Sequence, residues 1–116
     1  MRRGEVWLAD LEPVLGSEAN KTRPCVLVSN DHANSRAAVL SRGTVTVVPV
    51  TRTLDPSLAF HVLLPADDTG LDWDSKAQAE HVRSIDVRRL VHRVGHLSPS
   101  LLRDLDAALR LHLDLG

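Results

Sequence analysis

Two short stretches hold the residues best suited to chemistry. GSEANKTRP, Gly16 to Pro24, gathers a carboxylate, an amide, an ammonium and a guanidinium within nine residues. TVVPVT, ending at Pro49-Val50-Thr51, places a hydroxyl at the end of a β-branched run. A hairpin connection needs only about two to five residues, so the first stretch is longer than a simple turn requires. Arg23 offers planar paired donors and a fixed charge, the chemistry of phosphate recognition. Thr51 offers a donor on a side chain stiffened by its branched Cβ. An arginine has a pKa above ~12 and is a poor proton acceptor. Proton transfer would fall to Glu18, to a water, or to His61 or His81 in reserve, since imidazole titrates near neutrality. Each residue also has a plain structural reading. Arg23 is then a surface arginine beside a proline, Glu18 a turn carboxylate, and Thr51 a strand-end hydroxyl bonded to backbone.

Other chemistries lack their motifs. The six histidines form no His-Glu-x-x-His pattern, and Cys25 is the single cysteine, so neither a Cys-x-x-Cys site nor an intrachain disulfide can form. Asp67, Asp68, Asp72 and Asp74 cluster without the order of an EF-hand loop and read as a solvated turn. No Gly-rich phosphate loop and no Gly-x-Ser-x-Gly elbow occurs. The net charge of −1 argues against a uniformly basic nucleic-acid binder and leaves room for a local basic patch. What remains is a site without metal or cofactor.

The elements that must position these groups read as a single domain, 1–116. GEVWLADL, Gly4–Leu11, is apolar on both faces and reads as a largely buried strand. PCVLVS, Pro24–Ser29, suits a central strand. Asn30–Gly43 is a polar excursion with room for a short turn of helix, and Arg36 and Arg42 in it are possible nucleic-acid contacts. Thr44–Thr51 is strongly β, and Pro49 within it implies an edge position or a bulge. Further strands are expected at Phe60–Leu64, Ser75–Arg83 and Val91–His96, with Ile85–Leu90 a turn or short helix. Ser98-Pro99 starts a helix whose leucines follow helical spacing. Phe60 and Trp73 are the weak candidates for stacking on unpaired bases and are expected rather in the core, with Cys25 as a small buried hydrophobe. The order is many strands and one late helix, an α+β domain or a small barrel closed by a helix. No signal-peptide h-region and no apolar run of ~18 residues is present, so a cytoplasmic location is expected.

RRGEVWLADLEP, GSEANKTRPCVLVSND, TVVPVT and QAEHVRSID occur in this order along nearly the whole chain. In these motifs the sequence resembles the MazF/PemK-like toxins, the endoribonuclease halves of toxin–antitoxin pairs. The resemblance implies a small SH3-like antiparallel barrel of the plasmid-toxin (CcdB/MazF) type with a C-terminal helix, working as a homodimer. It implies sequence-specific cleavage of single-stranded RNA without metal or cofactor, inhibiting translation. It assigns catalysis to Arg23, Thr51 and Glu18, and RNA contacts to Ser17, Asn20, Lys21, Gln78, Glu80 and Arg83. It also implies a small MazE-like antitoxin whose flexible segment blocks the RNA groove. The same fold hosts toxins that poison DNA gyrase and cut nothing, and an inactive, binding-only member is a further alternative; fold alone does not separate them.

Overall fold

The computed structural model describes residues 1–11 and 22–116. Its elements run β1 (Glu5–Ala9), β2 (Arg23–Leu27), α1 (Asp31–Leu40), β3 (Thr44–Thr51), β4 (His61–Leu64), α2 (Ala66–Thr69), β5 (Ser75–Gln78), β6 (Arg83–Asp86), β7 (Leu90–His96) and α3 (Pro99–Leu113), with 3-10 turns at Ala79–His81 and Val87–Arg89. All strand pairs are antiparallel. The order is β4-β5-β3-β2-β1-β7, with β6 pairing on β3.

The central strands bury both faces, as the two-sided apolar pattern of Gly4–Leu11 implies. On one face Val6, Val26, Val48 and Val50 meet Val62, Leu64 and the α3 residues Leu105 and Ala108. On the other, Ala9, Cys25, Leu27, Val45, Val47 and Ile85 meet Ala37 of α1. Cys25 is fully buried, and that burial pushes its thiol up to about 12, so it packs as an apolar group. The α3 start follows its sequence signal: the Ser98 hydroxyl accepts the Leu101 N–H at 3.2 Å, and Pro99 opens the helix.

Three expectations need correction. Asn30–Gly43 holds a ten-residue helix rather than a single turn. It buries only Asn34 and Ala37, so it shows no apolar stripe. Its hold comes from polar groups: Asn30 accepts the Ala33 N–H at 2.8 Å, and the buried Asn34 amide donates to the Ser29 carbonyl at 2.8 Å. Second, Pro49 is not on an edge; β3 is central, and the bulge lies in its partner. Val50 pairs with Ala77 and Val47 with Arg83, so five residues, Gln78 to Val82, lie opposite Val48 and Pro49. The expected strand Ser75–Arg83 is therefore split by a 3-10 turn, and Ile85 lies in a strand. On its other side Pro49 faces Cys25 across β2. The Val28 N–H bonds the Thr46 carbonyl, so by alternation Cys25 and Pro49 are a non-hydrogen-bonded pair. The missing N–H thus points to the side where the partner strand bulges away.

Third, the sheet is open rather than a closed barrel. Among the described residues no ladder joins β4 to β7. That side is closed by backbone contact instead: a Cβ on Gly70 would collide with the Val94 carbonyl, and one on Gly95 with the Thr69 carbonyl. Only glycine permits this approach, and Gly70 also holds φ at 81°. No described helix is long and apolar enough to cross a membrane.

Candidate functional site

The β2–β3 register brings the two leading residues together. Cys25 faces Pro49, and two further steps along both strands set Arg23 opposite Thr51 on the same side of the pair. Both line a cavity of about 930 Å³, at the end of the sheet where β2 begins and β3 ends. Gln78 also lines it, with Thr22, Arg52, Asp72 and Trp73. Gly70, Leu71 and Val94 supply the wall at the unladdered side of the sheet.

Arg23 is exposed and, among the described residues, makes no ion pair. The Thr51 oxygen accepts the Thr53 N–H at 3.2 Å. That bond fixes the side chain and uses the oxygen as acceptor, leaving the hydroxyl proton to donate outward. Thr51 pairs with Lys76. Lys76 is buried, at 4% exposure, and its ammonium donates to the carbonyls of Leu54 and Pro56. It thereby holds the segment that leaves β3 just beyond Thr51.

The other expected site residues lie elsewhere. Ser17, Glu18, Asn20 and Lys21 fall outside the described residues. Glu80 and Arg83 are not in the cavity wall. The Arg83 guanidinium donates to the Leu11 carbonyl at 3.0 Å, fixing the chain where the polar loop departs. Glu80 accepts from His61 Nε2 at 2.8 Å. Burial is the largest single influence on its carboxyl and pushes it up, but the hydrogen bonds from His61 and the backbone, with the nearby His61 and His81, together leave it below the usual carboxylate range. Its Oε1 is buried without a partner among the described residues. His61 Nδ1 accepts the Leu58 N–H at 3.0 Å. Both ring nitrogens of His61 are thus engaged, one with the Leu58 N–H and one with the Glu80 carboxylate. His81 is exposed, 3.9 Å from Glu80, and outside the cavity.

Arg52 is a cavity residue that the sequence reading missed, and Trp73 is one that it weighed for base stacking but expected in the core. Trp73 is 57% exposed rather than in the core, with the Arg52 guanidinium 4.2 Å from the centre of its ring. One sequence signal was available: Asp72-Trp73-Asp74 puts the indole between two carboxylates, a poor context for burial. Phe60 does pack on the core, edge-on to His61.

Comparison with known proteins gives a consistent picture. Residues 2–113 match the family described as PemK-like, MazF-like toxin of type II toxin–antitoxin system. The chain is 56% identical over 115 residues to Endoribonuclease MazF9 of Mycobacterium tuberculosis, covering 99% of this chain and 98% of that protein. Among solved structures it is similar to Mycobacterium tuberculosis toxin MazF-mt6, at 25% identity and a TM-score of 0.78, covering 97% and 98% of the two chains. It shares its fold with a chain of a MazE–MazF structure from Deinococcus radiodurans, at 21% identity and a TM-score of 0.77, covering 100% and 97%.

Proposed function

The chain belongs to the PemK-like, MazF-like toxins of type II toxin–antitoxin systems, and from that premise we propose that it is a metal-independent endoribonuclease that cuts single-stranded RNA at a short sequence motif. The 56% identical relative named as an endoribonuclease supports cleavage over the gyrase-poisoning or inactive alternatives. The observation that carries the reading is that Arg23 and Thr51, each two residues beyond the Cys25–Pro49 pair on adjacent strands, line one cavity.

The chemistry follows from these groups. The 2′-OH of one nucleotide attacks its own 3′ phosphorus, and the P–O5′ bond breaks. The products are a 2′,3′-cyclic phosphate and a 5′-OH. Negative charge gathers on the non-bridging oxygens in the transition state. Arg23 meets that charge with paired N–H donors, and Thr51 adds a hydroxyl donor held in place by its bond to Thr53. The 2′-OH proton passes to Glu18 or to a bound water, and a protonated group returns one to the leaving oxygen. Ser17, Asn20, Lys21 and Gln78 contact the RNA. Arg83 holds the Leu11 carbonyl, and Glu80 lies on the 3-10 turn after Gln78.

The protein works as a cytoplasmic homodimer whose groove accepts either RNA or the flexible segment of a MazE-like antitoxin. The antiparallel sheet with α3 is the SH3-like plasmid-toxin fold in an open form, with the end of α2 meeting β7 through glycine contacts.

Purified protein incubated with long single-stranded RNA in EDTA, beside Arg23→Ala, tests the reading. Expected are cuts at a recurring motif with 5′-OH ends, abolished in the variant. A transcriptome-sized RNA pool left intact by the wild type would overturn it.

A further inference from the structure

Three aromatic side chains are available to this protein, and two are committed elsewhere. Phe60 packs on the core. Trp7 lies half-buried on β1, with its indole N–H donated to Glu5 at 3.0 Å. Trp73 alone among them is exposed, and it lines the same cavity as Arg23 and Thr51.

Its setting is built rather than loose. The Ser75 hydroxyl donates to the Trp73 carbonyl at 2.8 Å, and the next side chain, Asp74, accepts the Ala66 N–H at 2.9 Å. The backbone is thus fixed on both sides of the indole's attachment. The ring is oriented by Arg52, whose guanidinium stands over it. Arg52 directly follows Thr51, so the ring is tied to the strand that carries the hydroxyl donor. β5 returns antiparallel along β3 with Lys76 opposite Thr51, which brings Trp73 back to the cavity mouth. An indole in water leaves a large apolar face exposed, and the guanidinium on it strengthens attraction for a second polarisable plane. Unpaired nucleobases are such planes, and proteins that hold single strands stack them on aromatic or guanidinium faces.

We propose that Trp73, backed by Arg52, is the platform on which one unpaired base beside the scissile phosphate stacks, and that this contact contributes to the choice of cleavage motif. The proposal rests on the ribonuclease reading above. Asp72, on the same cavity wall, repels phosphate and favours presentation of the base face here rather than the backbone. Arg23 takes the phosphate, so the two walls divide the nucleotide between them.

The test uses the full chain and an RNA made uncleavable by a 2′-O-methyl group at its mapped cut site. A fluorescent 2-aminopurine replaces one base at a time. Stacking on Trp73 quenches the probe at one position near the cut. Trp73→Ala abolishes that quenching, and Trp73→Phe keeps it. With cleavable RNA, Trp73→Ala raises KM roughly tenfold to hundredfold, the range for loss of a stacking aromatic, while kcat stays within about threefold. The map of cut sites broadens at the stacked position. The thermal midpoint of Trp73→Ala stays near that of the wild type because the ring is exposed, and this separates a platform from a surface latch. If the wild type cuts RNA but Trp73→Ala matches it in KM, quenching and cut-site map, the platform is wrong and the nuclease reading stands. If Trp73→Ala weakens binding of an acidic antitoxin-type peptide but not of RNA, the surface serves a peptide and the proposal fails. A wild type that cuts no RNA takes both readings down together.

Discussion

Replacing Thr51 with valine removes one hydroxyl and almost no volume, which makes it the cleanest test of the catalytic geometry. The Thr51 oxygen accepts the Thr53 N–H at 3.2 Å, so only its proton is free to meet a phosphate oxygen. Loss of one preorganised donor to a transition-state oxyanion costs about 2.7–4 kcal/mol, or roughly a hundredfold to thousandfold in kcat. The structural loss is smaller. Thr53 is exposed, so water takes over its N–H, and the net cost is about 0.5–1 kcal/mol. The activity effect should therefore exceed the stability effect severalfold, with the thermal midpoint moving by only a few °C, about 2–6. Thr51→Ser keeps the hydroxyl and loses the branch that stiffens it, so it should retain kcat within roughly tenfold. The assay is single-turnover cleavage of a fluorogenic oligonucleotide carrying the mapped motif, with melting curves on the same samples. A Thr51→Val protein that cleaves at the wild-type rate would refute the assignment. So would serine and valine variants that lose activity equally while both stay folded, since the hydroxyl would then not be the group that matters.

The remaining predictions concern the fold that positions the site. Leu105→Ala, at a fully buried α3 position, should cost about 3 kcal/mol in urea unfolding at nearly unchanged slope; a change under about 1 kcal/mol would mean that α3 is not seated as described. Gly95→Ala should leave little folded protein in the soluble fraction, because its Cβ would overlap the Thr69 carbonyl, and a normal melting curve would contradict the close approach. The Asp86 carboxyl is held at about 2, below its ordinary 3.8, by its side-chain and backbone hydrogen bonds with Arg88. Stability from a depressed carboxyl is present above the unfolded value and is lost as pH falls through the folded one. Asp86→Asn should thus melt below the wild type at neutral pH, with the gap closing between pH 3.8 and about 2; a gap that stays constant down to the acid end would rule out the ion pair as its source. Lys76→Met should speed amide exchange in the segment 53–58 while leaving the core protected, because the ammonium holds the Leu54 and Pro56 carbonyls.

Much of the fold was legible because strong local signals agreed with the tertiary outcome. Thr44–Thr51 is β-branched and became the central strand, and Ser98-Pro99 capped a helix as such pairs do. The misses share one cause: information carried by partners rather than by local pattern. Nothing within Ser75–Arg83 announces a break, which lies opposite Val48 and Pro49 of the neighbouring strand. The helix Asp31–Leu40 has no apolar periodicity because a buried asparagine holds it. At the site, the proximity of Arg23 and Thr51 came from motif resemblance, and the register gives it a physical basis. The Arg52–Trp73 pair was not legible, since it depends on how far the chain travels between β3 and β5 before returning.

The cavity has two unlike walls, and this sets its mechanics. On one side stand Arg23 and Thr51, anchored in a continuous ladder of β1, β2 and β3. On the other, Gly70 and Val94 meet across bare backbone contact, with no ladder hydrogen bond between those segments among the described residues. Van der Waals contact yields to small displacements at far less cost than breaking a row of hydrogen bonds. The space therefore behaves as a vice with one fixed jaw and one sprung jaw. On the proposed function, the fixed jaw would hold Arg23 and Thr51 in register while the sprung jaw yielded to bases of different size.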